Sequence, residues 1–429
     1  REDALARTYS FNTAGALLGS LLTGFVLLPR FGPEGALYPL LAAAWLGGLW
    51  LRCAKPIWVV SSLLAFLGLG FWMHEGSASR PELFLASDAH ATVSVEENSE
   101  DSSAPIRSLR VNGKVVATSA PVDLRLQRLL GHIPGLLHGE VKRALVIGLG
   151  TGMTAGSLLD LEPLEQLDIF EISARVPEAA AHFSPWNGNV MTDPRTHVQH
   201  ADGRHALATS EATWDLITSD PIHPWTRGSS DLYSVEHFEN MAAHLAPGGV
   251  ASQWLPLYQL STLDVQTVIA SWCEAFPHTS AWLTAYDLAL VGSSEPLSGD
   301  ISSSQVLFRG DMRQHMQEAG IHSAAELFAL EVAETEDLRR FVGDVQPMRD
   351  DRPVLEFRAP FSYLGGYASE VLAWSGRDDY IEQLPLVSQG RAREVRVLLR
   401  DFLDALPAGL SQAAHSYGQA LLALPAQAE

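Results

Sequence analysis

Residues whose types and spacing could do chemistry fall at the ends of short apolar runs. In "VIGLGTGM", Gly148, Gly150 and Gly152 sit where a strand would turn into a helix. Lacking Cβ atoms, they let backbone N–H groups come close to a ligand. The next apolar run, "DIFEIS", reaches Glu171 at the spacing where an acid takes the ribose hydroxyls of a nucleoside. A dinucleotide fingerprint would need glycine at 153, where the chain has Met153. The spacing G-x-G-x-G therefore suits an S-adenosyl ligand better, since that ligand has no pyrophosphate to cradle. "HADGRHAL" places Asp202 at a third strand end, within reach of an exocyclic adenine amine, and "WDLITSDPIHPW" places Asp220 at a fourth. Each has a plain alternative: tight-turn glycines, an Asp-Gly turn, a strand end. Three unpaired carboxylates converging on one edge would repel one another unless a polar or cationic ligand sat among them.

The elements that must position these residues follow from periodicity. From Val141 onward strands and helices alternate, with strand candidates "ALVIGLG", "QLDIFEIS", "HVQHAD", "WDLITSD" and "GVASQWLP", and later "DLALVGS". That is the βαβ rhythm of a parallel sheet covered on both faces, whose ligands bind at the carboxyl ends of the strands. Ahead of it, "ELFLASDAHATVSVEE" and "IRSLRVNGKVVAT" alternate with period two around a Ser/Asp/Glu-rich loop at 98–104, which predicts a β-hairpin region. A helix is predicted over 122–138. "RDDRPVLEFRAP" reads as a polar turn into a short strand, and 391–424 as terminal helices.

The first 75 residues differ in kind. Three nearly uncharged segments, 11–29, 35–51 and 56–73, each have roughly the length that spans a bilayer core, with small residues spaced as in "GALLGSLLTG" and tryptophans near the ends. Three transmembrane helices are expected, and a cleaved signal peptide does not fit three segments. Arg1, Arg7, Arg52 and Lys55 on one side against Arg30 and Arg80 on the other would put the catalytic domain outside. Supply of an adenosyl donor argues for the cytoplasm, and that is the expectation adopted. The chain begins with Arg rather than Met, as a fragment lacking upstream helices would.

Composition removes several function classes. A formal charge of −21 and a pI near 5.1 leave nothing to neutralise phosphates, so no nucleic-acid partner is expected, whereas a cationic small substrate is permitted. Cys53 and Cys273 form neither a CxxC pair nor a disulfide framework. His197 and His200 in "HVQH" have no Cys or acidic ligand cluster beside them, so no metal is expected there or elsewhere.

Taken together, "ALVIGLGTGMTAGSLL", "DIFEIS", "HADGRHAL", "DLITSDPIHPW" and "LAPGGVASQWLPLYQL" resemble the spermidine synthase (polyamine aminopropyltransferase) family. The closer resemblance is to its bacterial membrane-fused branch, in which several transmembrane helices precede the synthase-like domain. "YSFNTAGALLGSLLTGFVLLPRFG" is similar to the end of that membrane half, "VNGKVVATSAPVDLRLQRLLGHIP" to the segment joining hairpin domain and nucleotide fold, and "RDDRPVLEFRAP" to a motif near the branch's C-terminus. The resemblance covers about residues 8–360. It implies an α/β, Rossmann-like S-adenosylmethionine-dependent transferase fold with a mostly parallel sheet, an N-terminal β-hairpin region and preceding transmembrane helices. The domain expectation is transmembrane helices over 1–75, hairpin region and linking helix over 76–140, catalytic domain over 141–295, an extension over 296–375 and terminal helices over 376–429.

Carried over by position, the resemblance has Gly148, Gly150 and Gly152 lining the adenosyl donor, Glu171 on its ribose and Asp202 on its adenine. Asp220 falls at the family's catalytic acid, which holds and deprotonates the attacking amine as it displaces methylthioadenosine. His223, Trp225 and Tyr233 are expected to contact the acceptor. The implied reaction moves an aminopropyl group from decarboxylated S-adenosylmethionine to an amine such as putrescine, in a multi-pass membrane protein, with a homodimer left open. Three departures bear on specificity: Thr151 replaces an aspartate of polyamine-specific members, His223 replaces a second aspartate, and Val116 stands where they use glutamine. A methyltransferase using intact S-adenosylmethionine therefore stays open, as does a non-catalytic membrane module that only binds the nucleoside.

Overall fold

The computed structural model describes residues 2–50, 82–98, 105–226, 228–257, 259–284, 287–297, 310–322, 327 and 330–365. The chain divides into two compact units, Arg1–Thr118 with Ser173–His182, and Ser119–Ile172 with Phe183–Glu429.

The first unit opens with helix α1 (Glu2–Leu22), a π-helical stretch (Thr23–Leu27) and helix α2 (Leu28–Trp50), which is broken at Gly32 where φ is 69°. Among the described residues one helical segment, Ala6–Gly32, is long and apolar enough to cross a membrane. Its Phe11, Leu17, Leu18 and Phe25 are exposed, which separates it from a core helix, although a leader sequence has the same length and composition. Of the three expected spans, one is matched by a candidate among the described residues. The 35–51 segment is helical up to Trp50, where this stretch of described residues stops. The 56–73 segment lies outside the described residues.

The predicted hairpin region is a four-stranded antiparallel meander, β1 (Glu82–Ser87), β2 (Thr92–Asn98), β3 (Ile106–Val111) and β4 (Lys114–Thr118). Asn112 and Gly113, with φ of 51° and 80°, make the two-residue turn between β3 and β4, the backbone that "VNGK" demands.

The second unit begins with α3 (Pro121–His138). Pro121 sits in its first turn, where no N–H is needed, and Gly139, at φ 91°, ends it. Then follow β5 (Arg143–Ile147), α4 (Met153–Leu158), β6 (Gln166–Glu171), α5 (Val176–Ala180, which folds with the first unit), β7 (Thr196–His200), α6 (Gly203–Ala208), β8 (Trp214–Ser219), α7 (Val235–Ala243), β9 (Leu245–Pro256), α8 (Thr262–Ala275), β10 (His278–Leu283) and β11 (Asp287–Ser293). Beyond these lie α9 (Gly310–Glu318), β12 (Glu331–Glu334), α10 (Thr335–Val342) and α11 (Val354–Gly365). The eight strands form one sheet in the order β12-β10-β11-β9-β8-β5-β6-β7.

Strands β5, β6 and β8 are buried along most of their length, as expected of parallel strands covered on both faces. The expectation of a mostly parallel sheet is met in part, with four parallel pairings and three antiparallel ones. Pairings from β7 through β9 are parallel, but β9–β11, β11–β10 and β10–β12 are antiparallel. The sheet is mixed, because the α8–β10 connection is followed by a tight return into β11 rather than by another crossover helix. "RDDRPVLEFRAP" is also corrected: it turns at the Arg349↔Arg352 bridge and then forms helix α11, not a strand. Leu355, Ala359 and Ser362 are buried at helical spacing, a period hidden by the short apolar–polar alternation at its start.

The 391–424 helices expected from sequence lie outside the described residues.

Candidate active site

The glycine loop is fixed from three sides within the second unit. Gly148 N–H donates to the Phe170 carbonyl at 2.9 Å and Asp220 N–H to the Ile147 carbonyl at 3.1 Å, tying the ends of β5, β6 and β8 together. A Cβ at Gly148, where φ is 88°, would lie 3.0 Å from the Asp220 carbonyl oxygen, so glycine is required both by conformation and by space. Gly152, in the left-handed region at φ 79°, starts α4. That helix is clamped against the 187–190 segment, since a Cβ at Gly156 would come within 2.2 Å of the Asn187 carbonyl.

Glu171 ends β6 and is buried to 7% exposure, with Oε2 accepting the Leu149 N–H at 2.9 Å. One carboxylate oxygen thus braces the glycine loop that the sequence pairs it with. Asp202 follows β7 beside it, because Ala201 N–H donates to the Glu171 carbonyl. Its side chain caps α6 by accepting the His205 N–H at 3.1 Å, and the residue is exposed. The Asp-Gly pair is therefore a helix cap at the strand-end edge rather than a free turn.

Asp220 is where the electrostatics are sharpest. Burial pushes its carboxyl up to about 6, opposed by a hydrogen bond from Thr154 Oγ1 at 2.9 Å and reinforced by the charge of Asp123. Asp123 comes from the first turn of α3. A third acid, Asp287, is pushed up to about 7 by burial, against a hydrogen bond from Trp254 Nε1 at 2.8 Å and with the charges of Asp123 and Asp220 adding to the rise. Tyr233 is fully buried, and burial together with Asp220 raises its hydroxyl well above the usual value. The hydroxyl approaches the Gln253 side chain, yet neither Tyr233 Oη nor Gln253 Oε1 reaches hydrogen-bond geometry among the described residues. Two buried polar atoms, Tyr233 Oη and Gln253 Oε1, thus stand unpartnered beside two raised carboxyls.

His223 and Trp225 form an aromatic wall. The His223 ring is 4.5 Å from that of Trp225 and 5.2 Å, edge-on, from that of Trp254. His223 is buried at 5% exposure, and the loop is held by Ser229 Oγ donating to its carbonyl at 2.6 Å. The Trp254 indole that meets His223 also donates to Asp287, so wall and acid are one connected structure. Thr151 is buried as well; its hydroxyl donates to Gln127 Oε1 of α3, and its carbonyl accepts from Asn187 Nδ2 at 2.9 Å.

The sequence reading missed Asp123, Gln127, Thr154, Gln253, Trp254 and Asp287. For Asp287 a signal existed, since an acid opening the apolar buried strand "DLALVGS" needs a reason. It was hidden by the assumed strand direction. Because β11 runs antiparallel to β9, its first residue pairs with Pro256 at the last residue of β9 and so lies at the edge where the parallel strands end.

Comparison with known proteins bears on this segment. Residues 124–287 match the family model described as the spermine/spermidine synthase domain. The chain is 30% identical over 194 residues to spermidine synthase 2 of Datura stramonium, covering 42% of this chain and 60% of that protein. It is 28% identical over 204 residues to the polyamine aminopropyltransferase of Nitrosomonas europaea, covering 45% and 61%. The chain thus spans about three fifths of the length of these relatives. A solved spermidine synthase from Thermotoga maritima overlays with a TM-score of 0.44 at 17% identity, covering 66% of this chain and 87% of that one. The similarity to spermidine synthases thus falls on the nucleoside-fold segment, where the motifs lie.

Proposed function

We propose that the chain transfers an aminopropyl group from decarboxylated S-adenosylmethionine to a small amine such as putrescine, releasing methylthioadenosine. The observation that carries this reading is the grouping of Asp123, Asp220 and Asp287 around buried Tyr233 and Gln253, beside the glycine loop and Glu171. Asp220 and Asp287, raised by burial, suit a polyammonium guest, which balances their charge and offers N–H groups to Tyr233 Oη and Gln253 Oε1. In the reaction, the acceptor nitrogen forms a bond to the carbon next to the donor's sulfonium. The C–S bond breaks, its electron pair neutralises sulfur, and the thioether leaves. Asp220 takes the proton released by the nitrogen, a task suited to a carboxyl near 6. Glu171 holds the ribose, Asp202 reaches the adenine, and His223, Trp225 and Tyr233 bound the acceptor's methylenes.

The same acids favour the decarboxylated donor over intact S-adenosylmethionine, whose own carboxylate would be repelled by them. Thr151, bonded to Gln127, leaves the alternative of methyl transfer worth testing directly. The exposed apolar segment Ala6–Gly32 supports attachment to a membrane, with the catalytic unit on the side that supplies the donor. The deciding experiment incubates the purified chain with each donor and with putrescine, spermidine or no acceptor. Methylthioadenosine formed only with the decarboxylated donor and an amine is expected. S-adenosylhomocysteine formed from the intact donor, with no methylthioadenosine, would replace this reading with methyl transfer.

A further inference from the structure

A second cluster lies on the same helix that supplies Asp123, farther along it. His132 of α3, Asp160 after α4 and His315 of α9 bring one ligand atom each within 4.8 Å of one another. His132 is completely buried, and neither of its ring nitrogens finds a hydrogen-bond partner. Its Nε2 stands 3.6 Å from Asp160 Oδ2, and the same oxygen is bonded to His315 Nδ1. The two imidazole rings are 6.1 Å apart and tilted by 33°. A buried imidazole with both nitrogens unused is costly, and the cost is removed if one nitrogen carries a ligand.

We propose that His132, Asp160 and His315 form a binding site for a divalent transition-metal ion of the zinc type, which fastens α9 to α3. Two imidazoles and one carboxylate without a thiolate are the ligand set of zinc, cobalt(II) and iron(II) sites with an open position. A tetrahedral ion with bonds of about 2.0–2.1 Å sets its ligand atoms about 3.3 Å apart, close to the His132–Asp160 separation. The His315–Asp160 pair must open slightly, since the ion replaces the hydrogen bond between them. Access is given by the other two ligands, whose side chains are 12% and 14% exposed.

Arg128, one turn before His132, opposes a cation. Its charge is answered by Glu318 at 3.0 Å, three residues beyond His315 on α9, and its guanidinium also donates to the Trp186 carbonyl. With Asp160 the surroundings carry one net negative charge, enough for a divalent ion to be accommodated. The helix cannot yield at this point, because a Cβ at Gly131 would already stand 3.1 Å from Ser157 Cβ and the Thr154 carbonyl. His132 is therefore fixed, and α9 is the part that an ion would hold. The ligands come from three elements far apart in sequence, so the ion acts as a cross-link and not on the reacting atoms.

The test uses the full chain, purified without a polyhistidine tag and stripped with chelator. It is then titrated with Zn2+ and Co2+ while thermal unfolding is followed. One ion per chain is expected, with visible absorption bands of a four- or five-coordinate nitrogen–oxygen cobalt site and a rise in Tm that grows with metal concentration. His315→Ala and Asp160→Asn, both near the surface, should each weaken binding on the order of 10²-fold or more and abolish the Tm response. His197→Ala and His200→Ala should change neither, since both lie exposed on edge strand β7. Absence of stoichiometric binding to the folded parent, or unchanged binding in His315→Ala and Asp160→Asn, would overturn the proposal. His132→Gln adds a third arm; should it fail to fold, the two surface variants still decide.

Discussion

The sheet of the second unit has two halves that contribute differently to the site. The parallel half, β7-β6-β5-β8, supplies the glycine loop, Glu171, Asp202 and Asp220 from successive strand ends. Its chemistry is ordered along the chain, because every parallel strand leaves its carboxyl end at the same edge. The antiparallel half, beyond β9, reaches that edge with a strand's first residue, so Asp287 stands opposite the end of β9 and bonds to its Trp254. The parallel half can cradle a nucleoside with backbone groups and acids of fixed position. What the antiparallel half adds is a buried acid, Asp287, bonded to Trp254 of β9. Under the proposed function, donor and acceptor recognition divide between these halves, and Asp220 follows β8, one strand before the change of direction.

The largest test of that division is Asp220→Asn. It keeps the shape and removes the base, so single-turnover transfer should slow on the order of 10²–10⁴-fold while the donor's Kd changes little. Unchanged rates in this variant, with activity in the parent, would take the residue out of the mechanism. The next pair of substitutions separates the halves. Glu171→Ala should weaken methylthioadenosine binding by roughly 1.5–3 kcal/mol, read by calorimetry, and leave the acceptor KM within a few-fold. Asp287→Asn should do the reverse, raising the KM for putrescine by about tenfold or more with nucleoside affinity preserved. If both variants moved both quantities equally, the division would be wrong.

A smaller effect concerns stability. The Asp220 carboxyl is raised in the folded state from 3.8 to about 6, so folding favours its protonated form. The penalty for the bare charge is absent below about pH 4, develops as pH rises through 6, and is complete above it. Unliganded Asp220→Asn should therefore be more stable than the parent at pH 8 by about 1–3 kcal/mol, with the difference gone near pH 4. Denaturant unfolding across that range checks the sign. For Asp287→Asn the same gain should develop over a window reaching about pH 7. Activity of the parent should rise with pH through about 6, following the ionisation of Asp220.

By itself the sequence determined what is local or periodic. Glycine spacing marked a loop that only residues without Cβ can form, and alternating elements marked the covered strands β5, β6 and β8. "VNGK" marked its turn, and the acids after successive strands marked the edge. These are legible because a backbone conformation or a repeat period is encoded by neighbouring residues. The tertiary structure decided what depends on strand direction and on distant segments. It turned the last strands antiparallel, brought Asp287 and Asp123 to Asp220, buried His223 between two tryptophans, and wound "VLEFRAP" into a helix. It also gathered His132, Asp160 and His315 from three elements. No short-range spacing could specify these contacts, because each is set by how whole elements pack, and burial, with neighbouring acid charges, moved Asp220 and Asp287 toward neutral pH.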